Sequence, residues 1–288
     1  MKYKNVVITG VSTGIGRELC IKLCLAGYRV IGTVRDPAQG EQLKKAIPDH
    51  FDYVLLDLLD HDSVTGFGQK IKEKTKEEGV FCLINNAGVA MGGPLMLLSY
   101  EELHQQMKIN FYSVFSITNA LLPLMGAGFD TRHKPGMIIN ISSVSGIFNS
   151  PFLGPYCISK HALESMSDIY RRELAVFGIK LVLIQPGPIK TPIWEKSVPK
   201  NNPYKNTDFE AVYDALGKEI EDSEKNALPV ERISELVLRV MQKKNPATRY
   251  LVTKNNLIMK FLSHCMPDKW MDRIFFNKFK KVLGQVRN

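Results

Sequence analysis

Short runs of Val, Ile and Leu alternate along this chain with longer stretches of helical periodicity, and no other feature restricts the fold as much. The strand-like runs fall at residues 6–9, 29–34, 53–56, 81–84, 137–141, 180–184 and 250–252. Amphipathic stretches at 15–26, 63–78, 100–125, 155–177 and 230–242 lie between them. Strand, helix, strand in succession calls for crossover connections, the mark of a parallel sheet covered on both faces. The runs are almost continuously apolar, as strands buried on both faces must be. The pattern predicts an α/β protein with one doubly wound parallel sheet of about seven strands and helices on both faces. It continues without a linker over residues 1–254. Residues 126–135 form a polar loop, and 192–228 is a long segment with Pro and aromatic residues, read as a substrate loop.

Composition narrows the function classes. A chain of 288 residues, 44% hydrophobic and 23% charged, sustains a core and is not a disordered protein. The net charge is +9, but residues 254–288 carry eight Lys or Arg against two Asp, a net +6. The basicity is therefore mainly a property of the tail, which argues against nucleic acid as a partner of the whole protein. No basic segment followed by a long apolar run opens the chain, and no stretch has the length of a membrane-spanning helix, so a cytoplasmic protein is expected. Five cysteines, an odd number, do not suggest a disulfide framework. The six histidines form no ligand cluster with carboxylates or cysteines, so no metal is expected.

The first strand runs into Thr9-Gly10-Val11-Ser12-Thr13-Gly14-Ile15-Gly16 and then a helix. Gly10 permits a sharp turn, Gly14 lets backbone approach a pyrophosphate, and Gly16 lets the helix close on the strand. The helix N-terminus adds free N–H groups and partial positive charge, so a nucleotide is expected here in a Rossmann-type arrangement. The second strand ends Val34-Arg35-Asp36. A ribose 2′-hydroxyl wants an acid at that point and a 2′-phosphate wants a cation. Val34 stands where the acid would be, and Arg35 follows, which favours NADP(H) over NAD(H). Ser12 is a further candidate contact to that phosphate.

From Asn85-Asn86-Ala87-Gly88 onward the chain resembles the short-chain dehydrogenase/reductase family. TGVSTGIG matches the family's TGxxxGIG, and Asn110 falls at the family's helix asparagine. Ser143 ends the fifth strand, Tyr156 and Lys160 match YxxxK, and Pro186 to Thr191 match PGxxxT. A second YxxxK, Tyr250 to Lys254, has Val237 thirteen residues upstream, whereas Tyr156 has Ser143 at that distance. VIGTVRD is similar to the retinol dehydrogenase and 17-beta-hydroxysteroid dehydrogenase branch. The resemblance implies Asn110, Ser143, Tyr156 and Lys160 as the catalytic set. It also implies cofactor contacts from Asp57 and Leu58, from Asn86, Ala87 and Gly88, and from Pro186, Gly187, Ile189 and Thr191. Lys160 would hold the nicotinamide ribose, and Asn110 a water linking Lys160 to solvent. A homodimer or homotetramer built on the 100–125 and 155–177 helices is implied as well.

The chemistry follows from the residue types. Tyr156 and Lys160, four apart, share a helix face. A free phenol titrates near ~10. A neighbouring ammonium and an oxidised nicotinamide are both expected to lower that value so that Tyr156 can exchange a proton with a substrate oxygen. Ser143 can donate a hydrogen bond to the same oxygen as charge develops there. The expected pocket walls, Met91, Phe148, Leu153 and Trp194, are apolar, which suits a small apolar carbonyl compound or its alcohol.

The extension 255–288 adds a separate question. Trp270, Met271, Ile274, Phe275, Phe276, Phe279, Val282 and Leu283 recur at helical steps and are read as one stripe, with Lys269, Arg273, Lys278, Lys280 and Lys281 mainly opposite. Such a helix lies on a membrane surface through residues 255–283, or it packs on its own core, roofs the pocket or meets a partner subunit. Two other classes fit the same fold: a cofactor-binding sensor without turnover, and a membrane-associated interaction protein. A competent residue at every catalytic position argues for the enzyme.

Overall fold

The computed structural model describes residues 4–47, 49–76, 78–193 and 201–286, apart from the side chains of 219, 220, 224, 264 and 283–286. Seven strands form one sheet: β1 (Asn5–Ile8), β2 (Arg29–Val34), β3 (Phe51–Leu55), β4 (Cys82–Asn85), β5 (Met137–Ile141), β6 (Lys180–Pro186) and β7 (Arg249–Val252). Their order is β3-β2-β1-β4-β5-β6-β7, and every pairing is parallel. The chain winds outward from β1 to β3, returns to β4, and winds out the other way. The crevice at that reversal, beyond the carboxyl ends of β1 and β4, is where such sheets hold ligands.

Successive strand residues point to opposite faces, and each face has its own core. Val6 and Ile8, Cys82 and Ile84, and Val182 and Ile184 pack on one side against α1 (Gly14–Leu25), α2 (Pro37–Ala46) and α9 (Glu231–Gln242). Val7, Leu83, Ile138, Leu181 and Leu183 pack on the other. There they meet α4 (Phe67–Lys74), α6 (Ser113–Leu121) and α7 (Gly154–Glu173).

Helix boundaries depart from the sequence reading where local chemistry intervenes. The expected helix 63–78 divides into α3 (His61–Thr65) and α4, with Gly66 ending one and starting the other. The 100–125 stretch divides into α5 (Tyr100–Met107), a π-helical turn Lys108–Tyr112, α6, and a 3-10 turn Leu122–Met125 that contains Pro123. Helix α2 was not expected, although Asp36 caps it and Pro37 opens it, a recognisable start signal. The expected loop 192–228 contains helix α8 (Glu210–Lys225). The tail forms α10 (Asn256–His264) and α11 (Asp268–Val286).

Helix α7 is tied to the sheet by ions as well as by apolar packing. Arg249 of β7 donates from Nε to Glu164 Oε2 at 3.0 Å and pairs with Asp168 Oδ1 at 3.0 Å. Gln185 of β6 donates to Glu164 Oε1 at 3.0 Å. Glu164 is buried, so removing its cation leaves a charge with little water. Arg249→Met should therefore cost about 2–3 kcal/mol, somewhat below a fully buried pair because Arg249 is partly exposed. The measurement is the urea midpoint at constant m-value. A loss under about 0.5 kcal/mol would reduce the network to an ordinary surface pair.

Candidate active site

The glycine turn is held from both neighbouring strands. Gly10, at φ +72°, donates its N–H to Thr33 Oγ1 of β2 at 3.0 Å. On the other side Thr9 Oγ1 accepts from the N–H groups of Asn86 and Ala87 at 2.9 and 3.0 Å. The Asn86 amide donates to the Thr9 and Gly10 carbonyls at 2.9 and 3.0 Å. A Cβ on Gly10 would come within 2.9 Å of Ala87 Cβ, and a side chain at that φ is strained. Helix α1 then starts with no side-chain cap and no acid in its first turn. Its N–H groups form an anion-accepting end suited to the phosphates of a dinucleotide.

This turn forms one end of a cavity of about 760 Å³ along the carboxyl ends of the strands. Gly10, Ser12, Thr13, Gly14, Ile15, Arg35, Asp57, Leu58, Asn86, Ala87, Gly88, Pro186, Gly187, Ile189 and Thr191 all line it, as do Ser143, Tyr156 and Lys160. Gly16 does not: it is buried beneath the turn, where a Cβ would collide with the Gly10 carbonyl. Its part is the close approach of helix to turn. Asp36 Oδ1 accepts from Ala38 N at 2.8 Å as the α2 cap, so Arg35 is the charged side chain that the end of β2 turns to the cavity.

Tyr156 and Lys160 stand one turn apart near the start of α7, both buried. The Ser143 hydroxyl is hydrogen-bonded to the phenol and accepts from Ser145 N at 3.1 Å. Lys160 Nζ donates to the Ile141 carbonyl at 2.8 Å and lies 5.8 Å from the Tyr156 ring centre. Burial pushes the phenol up to about 12, with the Ser143 hydrogen bond acting the other way. Burial pulls Lys160 down to about 8, opposed by the charge of Glu164. The expected lowering of the phenol by its ammonium neighbour does not occur in this arrangement. The ammonium is engaged by a backbone carbonyl, and desolvation dominates the phenol.

Asn110 lies in the π-helical turn and does not line the cavity. Its Nδ2 donates to Val89 O at 2.9 Å and to Ser159 Oγ at 3.0 Å, and its Oδ1 accepts from Val89 N at 3.0 Å. A Cβ on Gly88 would lie 3.2 Å from Asn110 Oδ1 and 3.9 Å from Lys160 Nζ. Asn110 thus stands behind the Lys160 wall and holds the 88–89 backbone and α7 together.

At the other end, Met91 and Leu153 line the cavity. Phe148 does not; it packs behind the wall, 6.3 Å from the Phe275 ring of α11. Trp194 falls outside the described residues. Val212, Ala215 and Leu216 of α8, within the segment read as substrate loop, and Phe275, Phe279 and Val282 of α11, within the tail, form further walls. Phe152, at φ +65°, joins them by packing 5.6 Å from Phe209 and 5.3 Å from Phe279. The three- and four-residue spacing within 212–216 was a usable signal, masked by reading the segment as loop. The tail stripe is not single. Met271, Phe275, Phe279 and Val282 are half-buried, while Trp270, Ile274 and Phe276 are exposed.

A parallel sheet with this strand order, a glycine turn at its crevice and a Ser-Tyr-Lys wall defines a class of nucleotide-binding protein. The sequence model of the short chain dehydrogenase family matches residues 4–202, and the chain belongs to that family. It is 38% identical to the NADPH-dependent 3-dehydrocapnine reductase of Ornithobacterium rhinotracheale, across 98% of this chain and 99% of that one. It is 30% identical to human retinol dehydrogenase 16, across 96% and 89%. A short-chain dehydrogenase from Streptomyces avermitilis has the same fold, with a TM-score of 0.77 at 23% identity over 98% of this chain and 97% of that one.

Proposed function

We propose that this chain is an NADP(H)-dependent oxidoreductase that interconverts an apolar carbonyl compound, of steroid-, retinoid- or long-chain type, and its alcohol. The observation that carries the reading is the Ser143–Tyr156–Lys160 wall, which shares one cavity with an anion-accepting glycine turn. The cavity fits a dinucleotide at the turn: Gly14 has no side chain there, and a Cβ would press on Thr191 at 3.3 Å. Arg35 supports the phosphorylated cofactor, as does the likeness to the NADPH-dependent reductase of Ornithobacterium rhinotracheale. NADPH supplies hydride to the carbonyl carbon when bound.

The chain's own groups manage the oxygen. The Ser143 hydroxyl donates a hydrogen bond to the carbonyl oxygen, where negative charge grows. Tyr156 gives its hydroxyl proton to that oxygen, completing the alcohol, and the reverse transfer serves oxidation. A phenol held at about 12 is fully protonated at neutral pH, which suits the donor role. Lys160 keeps positive charge beside the phenolate left by that transfer. Phe152, Leu153, Phe275 and Phe279 exclude water from the substrate end, and their character supports an apolar substrate. We further read the protein as a homodimer or homotetramer. Exposed Tyr112, Phe115, Ile158 and Ile169 on the 100–125 and 155–177 helices support it.

Tyr156→Phe should lower kcat/KM about 10²–10⁴-fold, the usual weight of a general acid, while NADPH titration stays near wild type. Substantial retained turnover would remove Tyr156 from the reaction. The pH profile of reduction should follow Lys160. The ammonium form is required and burial holds it at about 8, so kcat/KM stays level up to that pH and falls about tenfold per unit above it. A level profile to strongly alkaline pH would detach Lys160 from the step. Arg35→Ala should weaken NADPH binding about tenfold or more, the weight of a lost charge-assisted contact, and change NADH binding little; equal losses would contradict the assignment. Light scattering should give a multiple of the chain mass, and a monomer would refute the assembly.

A further inference from the structure

We propose that the outer face of the α10–α11 helix pair docks on the surface of a bilayer containing anionic phospholipid. The site does not use this face. On α11 the cavity takes Phe275, Phe279 and Val282, and the outward residues Trp270, Ile274 and Phe276 are 63%, 52% and 65% exposed. On α10 Leu257, Ile258 and Phe261 are 83%, 57% and 54% exposed. Trp270 with Ile274, and Leu257 with Phe261, are one helical turn apart and share a face. Six large apolar side chains left in water within twenty residues call for a partner.

Charge identifies that partner. Lys260, Lys269, Arg273, Lys280 and Lys281 are exposed on the same two helices, with Lys254 just before them, and residues 254–288 hold +6 of the chain's +9. A second copy would bring two faces of the same sign together. A nucleic acid would engage the lysines and leave Leu257, Ile258 and Ile274 wet. An anionic lipid interface accepts both: aromatic and aliphatic side chains enter the acyl boundary while the basic heads stay among the phosphates. Among the described residues no helix is long and apolar enough to cross a membrane, so the contact is one of lying on the surface. Because α11 also roofs the cavity, docking brings the cavity roof to the lipid, whichever carbonyl compound is reduced.

The test uses the full chain with NADPH bound, floated with vesicles of equal parts phosphatidylcholine and phosphatidylglycerol or of phosphatidylcholine alone. The wild type should float with the anionic vesicles at low salt, lose that binding as salt rises, and remain below with phosphatidylcholine. Phe261→Glu/Trp270→Glu/Ile274→Glu should lower flotation about tenfold or more, while thermal midpoint and turnover of a water-soluble carbonyl compound stay at wild-type values. Lys269→Gln/Arg273→Gln/Lys280→Gln should lose the preference for the anionic vesicles. Wild-type protein that stays below with both vesicles overturns the proposal, as does a triple-glutamate variant that floats like wild type. A wild-type oligomer that does not float and falls apart in the triple-glutamate variant overturns it in favour of self-association.

Discussion

A buried polar row along one helix governs this structure. Tyr156, Lys160, Glu164 and Asp168 follow one another every four residues on α7 and so lie on one face of it. The first three are buried. Polar and charged groups in such a place are unfavourable unless each finds a partner. Ser143 meets the phenol, the Ile141 carbonyl takes the ammonium, and Gln185 and Arg249 satisfy the two carboxylates. A second set of buried polar contacts seats the same helix: Asn140 donates to Ser167 Oγ at 2.8 Å and accepts from Asn85 at 2.8 Å. These bonds set the rotation of α7 on the sheet, and that rotation determines which side chains reach the cavity.

The same logic applies at the turn. The Asn86 amide clamps two carbonyls of the glycine segment, and Thr9 and Thr33 take the N–H groups around it. With these groups satisfied by side chains from β2 and from the residues that follow β1 and β4, the first N–H groups of α1 stay directed at the cavity. The anion end and the proton-transfer end are held by separate networks on one rigid sheet.

The substrate end is built differently. Helix α11, the Phe152 segment and Phe209 just before α8 meet there through aromatic rings, with aliphatic residues of α8 beside them, rather than through strand register. Helix α11 is apolar over an arc wider than its own protein covers. Its inward part closes the cavity, and its outward part shares space with basic residues.

Much of this was legible in the sequence because it is local. Period-two and period-3.6 patterns fall within single elements, so the seven strands and the main helices on the sheet could be read directly. The glycine turn, the serine thirteen residues before the tyrosine, and the tyrosine–lysine step depend on short spacings along the chain. Gly16 and Asn110 show where local reading stops: both belong to the site's motifs, yet one packs under the turn and the other stands behind the lysine wall. The protonation of Tyr156 has the same limit, since spacing predicts a neighbouring ammonium but not the burial that raises the phenol. Only the tertiary structure decided that Phe148 lies behind the wall, that α8 and α11 close the cavity, and that the tail's apolar stripe divides into two faces. Those outcomes depend on contacts between segments more than a hundred residues apart, such as Phe152 with Phe279. Periodicity establishes that a helix has an apolar face, and only packing establishes what that face meets.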